Sequence, residues 1–124
     1  MSRIAIIDDD PDIIESIETV LHANGYETVS AKNFSDGYKI VKATVPDAVL
    51  LDVMMEEPDD GFFLAEKLRR ENFTKPIILL TSVSKTLGFN YEPGELLPVN
   101  KILEKPVSPT KLLATLSEIL EGEK

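Results

Sequence analysis

The chain has no cysteine, which excludes both a disulfide framework and a thiolate metal site and fits a reducing compartment. It is also short of positive charge. Thirteen lysines and arginines stand against 22 aspartates and glutamates, a net charge of −9, whereas a general nucleic-acid binder would need a basic face. No apolar stretch approaches the roughly 20 residues of a membrane span. Met1-Ser2-Arg3 leads straight into a short strand-like run, with neither a signal-peptide nor an anchor pattern. Histidine occurs once, as His22 near the end of the first predicted helix, where a mild interaction with the helix C-terminus accounts for it better than a catalytic role does.

What is present points to one ordinary soluble domain spanning 1–124. Its 124 residues are enough to bury a core, and 43% hydrophobic and 28% charged residues rule out wholesale disorder. Four short apolar runs stand out: Ile4-Ala5-Ile6-Ile7, Ala48-Val49-Leu50-Leu51, Ile77-Ile78-Leu79-Leu80 and the shorter Ile102-Leu103. They are continuous rather than alternating, as expected of strands covered on both faces in a parallel sheet. The stretch 26–31 (YETVSA) is a weaker fifth, nearer an edge.

Helical patterns lie between these runs. Ile13, Ile14, Ile17, Val20 and Leu21 recur on one face, with Asn24-Gly25 as a stop. Leu112, Leu113, Leu116, Ile119 and Leu120 repeat that spacing near the C-terminus. Two further helices are predicted from Ser35 to Ala43 and from Gly61 to Glu71, the latter with Phe63, Leu64 and Leu68 facing inward. Such alternation with short links implies an α/β fold, a doubly wound five-stranded parallel sheet with helices on both faces. The segment 82–100 breaks the pattern. Gly88, Pro93, Gly94 and Pro98 oppose a regular helix, so the fourth helix is predicted to be reduced or replaced by a loop.

In a parallel sheet all strands end on one side, and ligands bind outside those carboxyl ends. The predicted strand ends carry Asp8 and Asp9, then Asp52, then Thr81, then Glu104-Lys105-Pro106. Two carboxylates about 4 Å apart repel by roughly 1 kcal/mol in water and about 4 at the effective dielectric of a protein surface. Stability alone is a poor reason to crowd them. Clustered oxygen ligands without His or Cys suit a hard cation such as Mg²⁺, which offsets the repulsion. One carboxylate then remains available as a nucleophile towards phosphorus, with a lysine and a hydroxyl to meet the phosphoryl oxygens. Asp10, directly before Pro11, is read instead as a helix N-cap.

The pieces IIDDDPD, LLDVMM, DGF, ILLTS and EKP, in that order along nearly the whole chain, resemble the receiver domain of two-component response regulators. The resemblance implies a flavodoxin-like receiver fold and a phosphorylation-dependent switch in a phosphorelay. It makes Asp52 the phosphoacceptor, taking a phosphoryl group from the phosphohistidine of a sensor histidine kinase or phosphotransfer protein. It implies Mg²⁺ held by Asp9, by Asp8 directly or through water, by Asp52 and by the Met54 backbone carbonyl. Thr81 would bond the phosphoryl group, Lys105 would pair with it, and the Lys105-Pro106 bond would be cis. The domain is expected to be cytoplasmic and, with no DNA-binding or catalytic pattern after it in the sequence, to stand alone. It acts on a downstream protein target without direct nucleic-acid binding, and is no enzyme beyond assisting its own phosphorylation and slow dephosphorylation.

Two departures from the family pattern matter. Glu56 stands where the family usually has proline, and the DG pair arrives one position late, implying a one-residue insertion with Pro58 displaced. Ile102 stands where the family usually has Tyr or Phe, the rotameric partner of the switch threonine. The acidic run Glu56, Glu57, Asp59 and Asp60 beside the inferred site reads as a solvated loop face, with Asp60 a possible cap for the next helix. The segment from Ser84 to Val99, with Phe89 and Tyr91, is the expected carrier of the signal. Besides a receiver cut from a larger regulator or hybrid kinase, two rivals remain at this level. One is a pseudo-receiver that binds partners without phosphotransfer. The other is a phosphohydrolase of the haloacid-dehalogenase type, which would need a second aspartate where this chain has Met54.

Overall fold

The three longest apolar runs become strands with no side chain left to solvent, so the hydrophobic effect fixes the centre of the sheet. In a computed structural model, which describes residues 2–57, 60–81 and 99–122, they extend into β1 (Arg3–Ile7), β3 (Ala48–Asp52) and β4 (Ile77–Thr81). The edges are β2 (Glu27–Ala31) and β5 (Lys101–Glu104), and all five strands run parallel in the order β2-β1-β3-β4-β5. The weaker YETVSA run is indeed an edge strand, and its residues other than the buried Ala31 stay partly or fully exposed.

Successive side chains of a strand point to opposite faces, and the two cores follow that parity. Ile4, Ile6, Leu50, Ile78 and Leu80 pack on one face against α1 (Pro11–Ala23) and α4 (Pro109–Gly122), through Ile14, Ile17, Leu21, Leu112 and Leu116. Ala5, Ile7, Val49, Leu51 and Leu79 pack on the other against α2 (Phe34–Thr44) and α3 (Asp60–Arg70), through Val41, Leu64 and Leu68. Each such Val, Leu or Ile side chain contributes about 1.5–3 kcal/mol on full burial.

The helix ends follow from local chemistry. Asp10 caps α1: its carboxylate accepts the Asp12 N–H at 2.9 Å, and Pro11, which lacks an N–H, opens the first turn. Asn24 ends that helix, and Gly25 takes the left-handed conformation after it, with φ of 85°. Asn33 caps α2 by accepting the Asp36 N–H at 2.8 Å. At the other end of α2 the exposed Val45 sits at φ 44°, an unusual place for a β-branched side chain.

Phe63 departs from expectation. Leu64 and Leu68 are fully buried as predicted, but Phe63 is 55% exposed, while the neighbouring Phe62 packs partly on the core. Leu64, Ala65 and Leu68 set the inward face, and Phe63 falls off that stripe. The described residues form four helices. The segment 82–98, where the reduced fourth helix and the signal-carrying stretch are expected, lies outside them, as do Pro58 and Asp59. No helix of the described residues is long and apolar enough to cross a membrane.

Candidate functional site: a strand-end carboxylate cluster

The chain leaves β1 for the edge strand β2, then returns past β1 to β3. The crevice of a doubly wound sheet opens where the strand order reverses, here between the carboxyl ends of β1 and β3. Ile7 is opposite Leu51 in the register, so Asp8 and Asp52 emerge side by side at that point. Both are buried, whereas Asp9, one residue further into the loop, is exposed. One carboxylate oxygen from each of Asp8, Asp9 and Asp52 lies within 4.8 Å of the others.

Lys105 enters from β5. Thr81 is opposite Glu104, and the Lys105 N–H donates to the Thr81 carbonyl at 2.9 Å, which carries the ladder to the strand ends. The Lys105 ammonium reaches Asp8 Oδ2 at 2.8 Å and Asp52 Oδ1 at 3.2 Å, bridging the two buried carboxylates. The Lys105-Pro106 peptide is cis. Thr81 itself is 1% exposed at the end of β4. Met54, two residues past Asp52, is exposed, and its N–H faces Asp52 Oδ1 at 3.4 Å.

The electrostatics follow from this crowding. Burial, then the charge of Asp8, push the Asp52 carboxyl up to about 6, although Lys105 and the Met54 N–H pull the other way. For Lys105, burial disfavours the ammonium, but the close Asp8 carboxylate and the charges of both carboxylates outweigh it and hold its pKa above the ordinary lysine value. One lysine does not satisfy three carboxylates. Asp8 Oδ2 is buried and receives no well-directed hydrogen bond, the Lys105 contact being close but poorly aligned. A cluster of oxygens with an under-satisfied buried carboxylate fits a hard divalent cation.

The fold and the site place this chain among known proteins. The family model described as "Response regulator receiver domain" matches residues 4–117. The chain belongs to the receiver domains of response regulators. It is 29% identical over 122 residues to "Protein PilH" of Pseudomonas aeruginosa, covering 98% of this chain and 100% of that one. It is 32% identical over 117 residues to the "Phosphate regulon transcriptional regulatory protein PhoB" of the same organism, covering 94% of this chain but 51% of that one. The receiver thus spans all of one relative and about half of the other. Among solved structures, a putative response regulator from Chloroflexus aurantiacus superposes with a TM-score of 0.81 at 29% identity, covering 97% of this chain and 98% of that one.

Within the receiver, the sequence brings Asp8, Asp9, Asp52, Thr81 and Lys105 to one sheet edge, and the structure has them there. Sequence reasoning missed two points. Asp60, read as part of a solvated loop face or as a cap for the next helix, is 9% exposed, and its Oδ2 accepts the Glu57 N–H at 2.9 Å. Gly61 beside it is buried against the end of β3 and donates its N–H to the Val53 carbonyl at 2.8 Å. The DG pair was the available signal for both.

Proposed function

We propose that this receiver is a phosphorylation-dependent switch whose phosphoacceptor is Asp52. The observation that carries the reading is the Asp52 carboxylate, buried at the strand-order reversal, 3.2 Å from the Lys105 ammonium and within 4.8 Å of the Asp8 and Asp9 oxygens. The donor is the phosphohistidine of a sensor histidine kinase or phosphotransfer protein, as befits the family. An Asp52 oxygen attacks phosphorus, the O–P bond forms, and the P–N bond breaks with its electron pair leaving on the imidazole.

Each neighbour then has a task. Asp8, Asp9, Asp52 and the Met54 carbonyl would hold Mg²⁺, which when bound supplies positive charge against the carboxylate and phosphoryl oxygens. Lys105 pairs with the transferred group and Thr81 hydrogen-bonds it, so the group is held by two elements that meet at β4 and β5. The switch follows because a phosphoryl group binds differently to two arrangements of these residues and shifts their populations. Catalysis is confined to the domain's own phosphorylation and slow dephosphorylation. The setting is cytoplasmic, and the output is contact with a downstream protein rather than direct binding of nucleic acid.

The experiment is phosphotransfer. Incubated with Mg²⁺ and a phosphohistidine-bearing phosphotransfer protein, the receiver should take one acid-stable, alkali-labile phosphoryl group, and Asp52→Asn should take none. Full labelling of the variant would assign the acceptor elsewhere; no labelling of the parent would leave a pseudo-receiver.

A further inference from the structure

We propose that Gly61 is a positioning residue for the phosphoacceptor: the bare backbone at the start of α3 sets where Asp52 can stand. The proposal rests on the reading of Asp52 above and concerns how its carboxylate is held. Glycine at this point is not required by backbone conformation, because the positive-φ glycine among the described residues is Gly25. Nor does helix formation favour it, since alanine is the better helix former. Space is the reason. A Cβ built on Gly61 would fall on the Asp52 carbonyl oxygen, 2.7 Å from Val53 Cα and 2.9 Å from the Asp52 carbonyl carbon. All three atoms are backbone, so no side chain can swing aside.

The approach is also pinned from both sides. The Gly61 N–H donates to the Val53 carbonyl at 2.8 Å, and the Val53 N–H donates to the Leu80 carbonyl at 3.1 Å. Ahead of α3 the Asp60 N–H donates to the Glu57 carbonyl at 3.2 Å and the Glu57 N–H to Asp60 Oδ2 at 2.9 Å. Helix α3 therefore cannot retreat without breaking these bonds. A methyl group at position 61 must displace the Asp52–Val53 peptide, and the carboxylate moves with it, away from its 3.2 Å contact with Lys105 and from the oxygens of Asp8 and Asp9. Displacement of a reacting group by about 1 Å can cost on the order of 100-fold in rate.

Gly37 provides the matched control. It lies in α2, and the nearest atoms a Cβ there would meet belong to side chains, Ile7 Cγ2 at 2.9 Å, Ile7 Cδ1 at 3.1 Å and Leu64 Cδ2 at 3.3 Å, not to the Asp52 backbone. Gly37→Ala should therefore tax packing without moving the site. The test compares Gly61→Ala, Gly37→Ala and the parent, each shown to be folded by circular dichroism. Three quantities are read: the initial labelling rate at saturating Mg²⁺, the Mg²⁺ dissociation constant by calorimetry, and the ¹³C resonance of the Asp52 carboxyl in metal-free protein.

In Gly61→Ala the labelling rate should fall at least about tenfold, the Mg²⁺ dissociation constant should rise several-fold and the Asp52 resonance should move. Gly37→Ala should keep all three near the parent values even if it melts earlier. Parent-like values in Gly61→Ala overturn the proposal, and so do equal losses in both variants. If Gly61→Ala does not fold, Asp60→Ala removes the Asp60 Oδ2 bond to the Glu57 N–H beside Gly61 without adding an atom. It should weaken Mg²⁺ binding more than Gly37→Ala does, and parent-like binding overturns the proposal. A parent that takes no label refutes the phosphoacceptor reading alone. The Asp52 resonance then decides this proposal, and an unmoved resonance in Gly61→Ala overturns it.

Discussion

Removing the charge of Asp52 should make the metal-free receiver more stable, not less. Asp52 is 5% exposed and the pKa of its carboxyl is pushed from 3.8 up to about 6, first by burial and then by Asp8. The folded protein therefore holds this proton more tightly than the unfolded chain does. Above about pH 6 the ionised carboxylate costs stability, and the cost fades as the pH falls from about 6 towards 3.8. The full shift corresponds to roughly 3 kcal/mol. With relaxation of neighbouring groups, Asp52→Asn should gain about 1–3 kcal/mol at pH 7.5, or up to about 10 °C in melting temperature. Urea unfolding in EDTA at pH 7.5, 6, 5 and 4 measures it. The advantage of the variant should shrink steadily along that series, and added Mg²⁺ should stabilise the parent far more than the variant. A variant less stable than the parent at pH 7.5, or an advantage that does not change with pH, would refute the reasoning.

Other outcomes follow from the same geometry. Lys105→Met removes the cation that bridges Asp8 and Asp52; metal-free stability should drop by about 1–3 kcal/mol, and Mg²⁺ should restore more of it than it adds to the parent, read by melts with and without metal. Asp9→Asn, at an exposed position, should leave metal-free stability within about 0.5 kcal/mol while lowering Mg²⁺ affinity measured by calorimetry. The contrast between Leu64 and Phe63 should be large: Leu64→Ala should cost about 2–5 kcal/mol in urea unfolding, and Phe63→Ser, more than half exposed, below about 1. Val45→Gly relieves a β-branched residue at φ 44° and should raise stability by about 0.5–1 kcal/mol.

The sheet was legible because its strands are buried on both faces, so Ile4–Ile7, Ala48–Leu51 and Ile77–Leu80 had to be continuous apolar runs. Legible strands made the site legible, since the residues just past each run meet at one edge. Local chemistry was equally plain at Asp10 and Asn24, where cap and stop are short-range signals. Less was readable where the answer depends on the partner surface. Phe63 and Leu64 are adjacent and similarly apolar, and only the packing of α3 against β3 decides which is buried. Asp8 and Asp9 are likewise adjacent and identical in kind, yet one is buried against Lys105 and the other is exposed. The burial of Asp60 was harder to read because its partner, the Glu57 N–H, is a backbone group, which leaves the DG pair as the local signal.

The central claim is that the buried Asp52 carboxylate accepts the phosphoryl group with the help of its neighbouring carboxylates and Lys105. Peptide mapping by mass spectrometry after phosphorylation, with and without EDTA, tests it most directly. One phosphoryl group on the peptide containing Asp52, appearing with Mg²⁺ and absent with EDTA, is the predicted result. A phosphoryl group on any other residue, or one that forms equally well in EDTA, would contradict it.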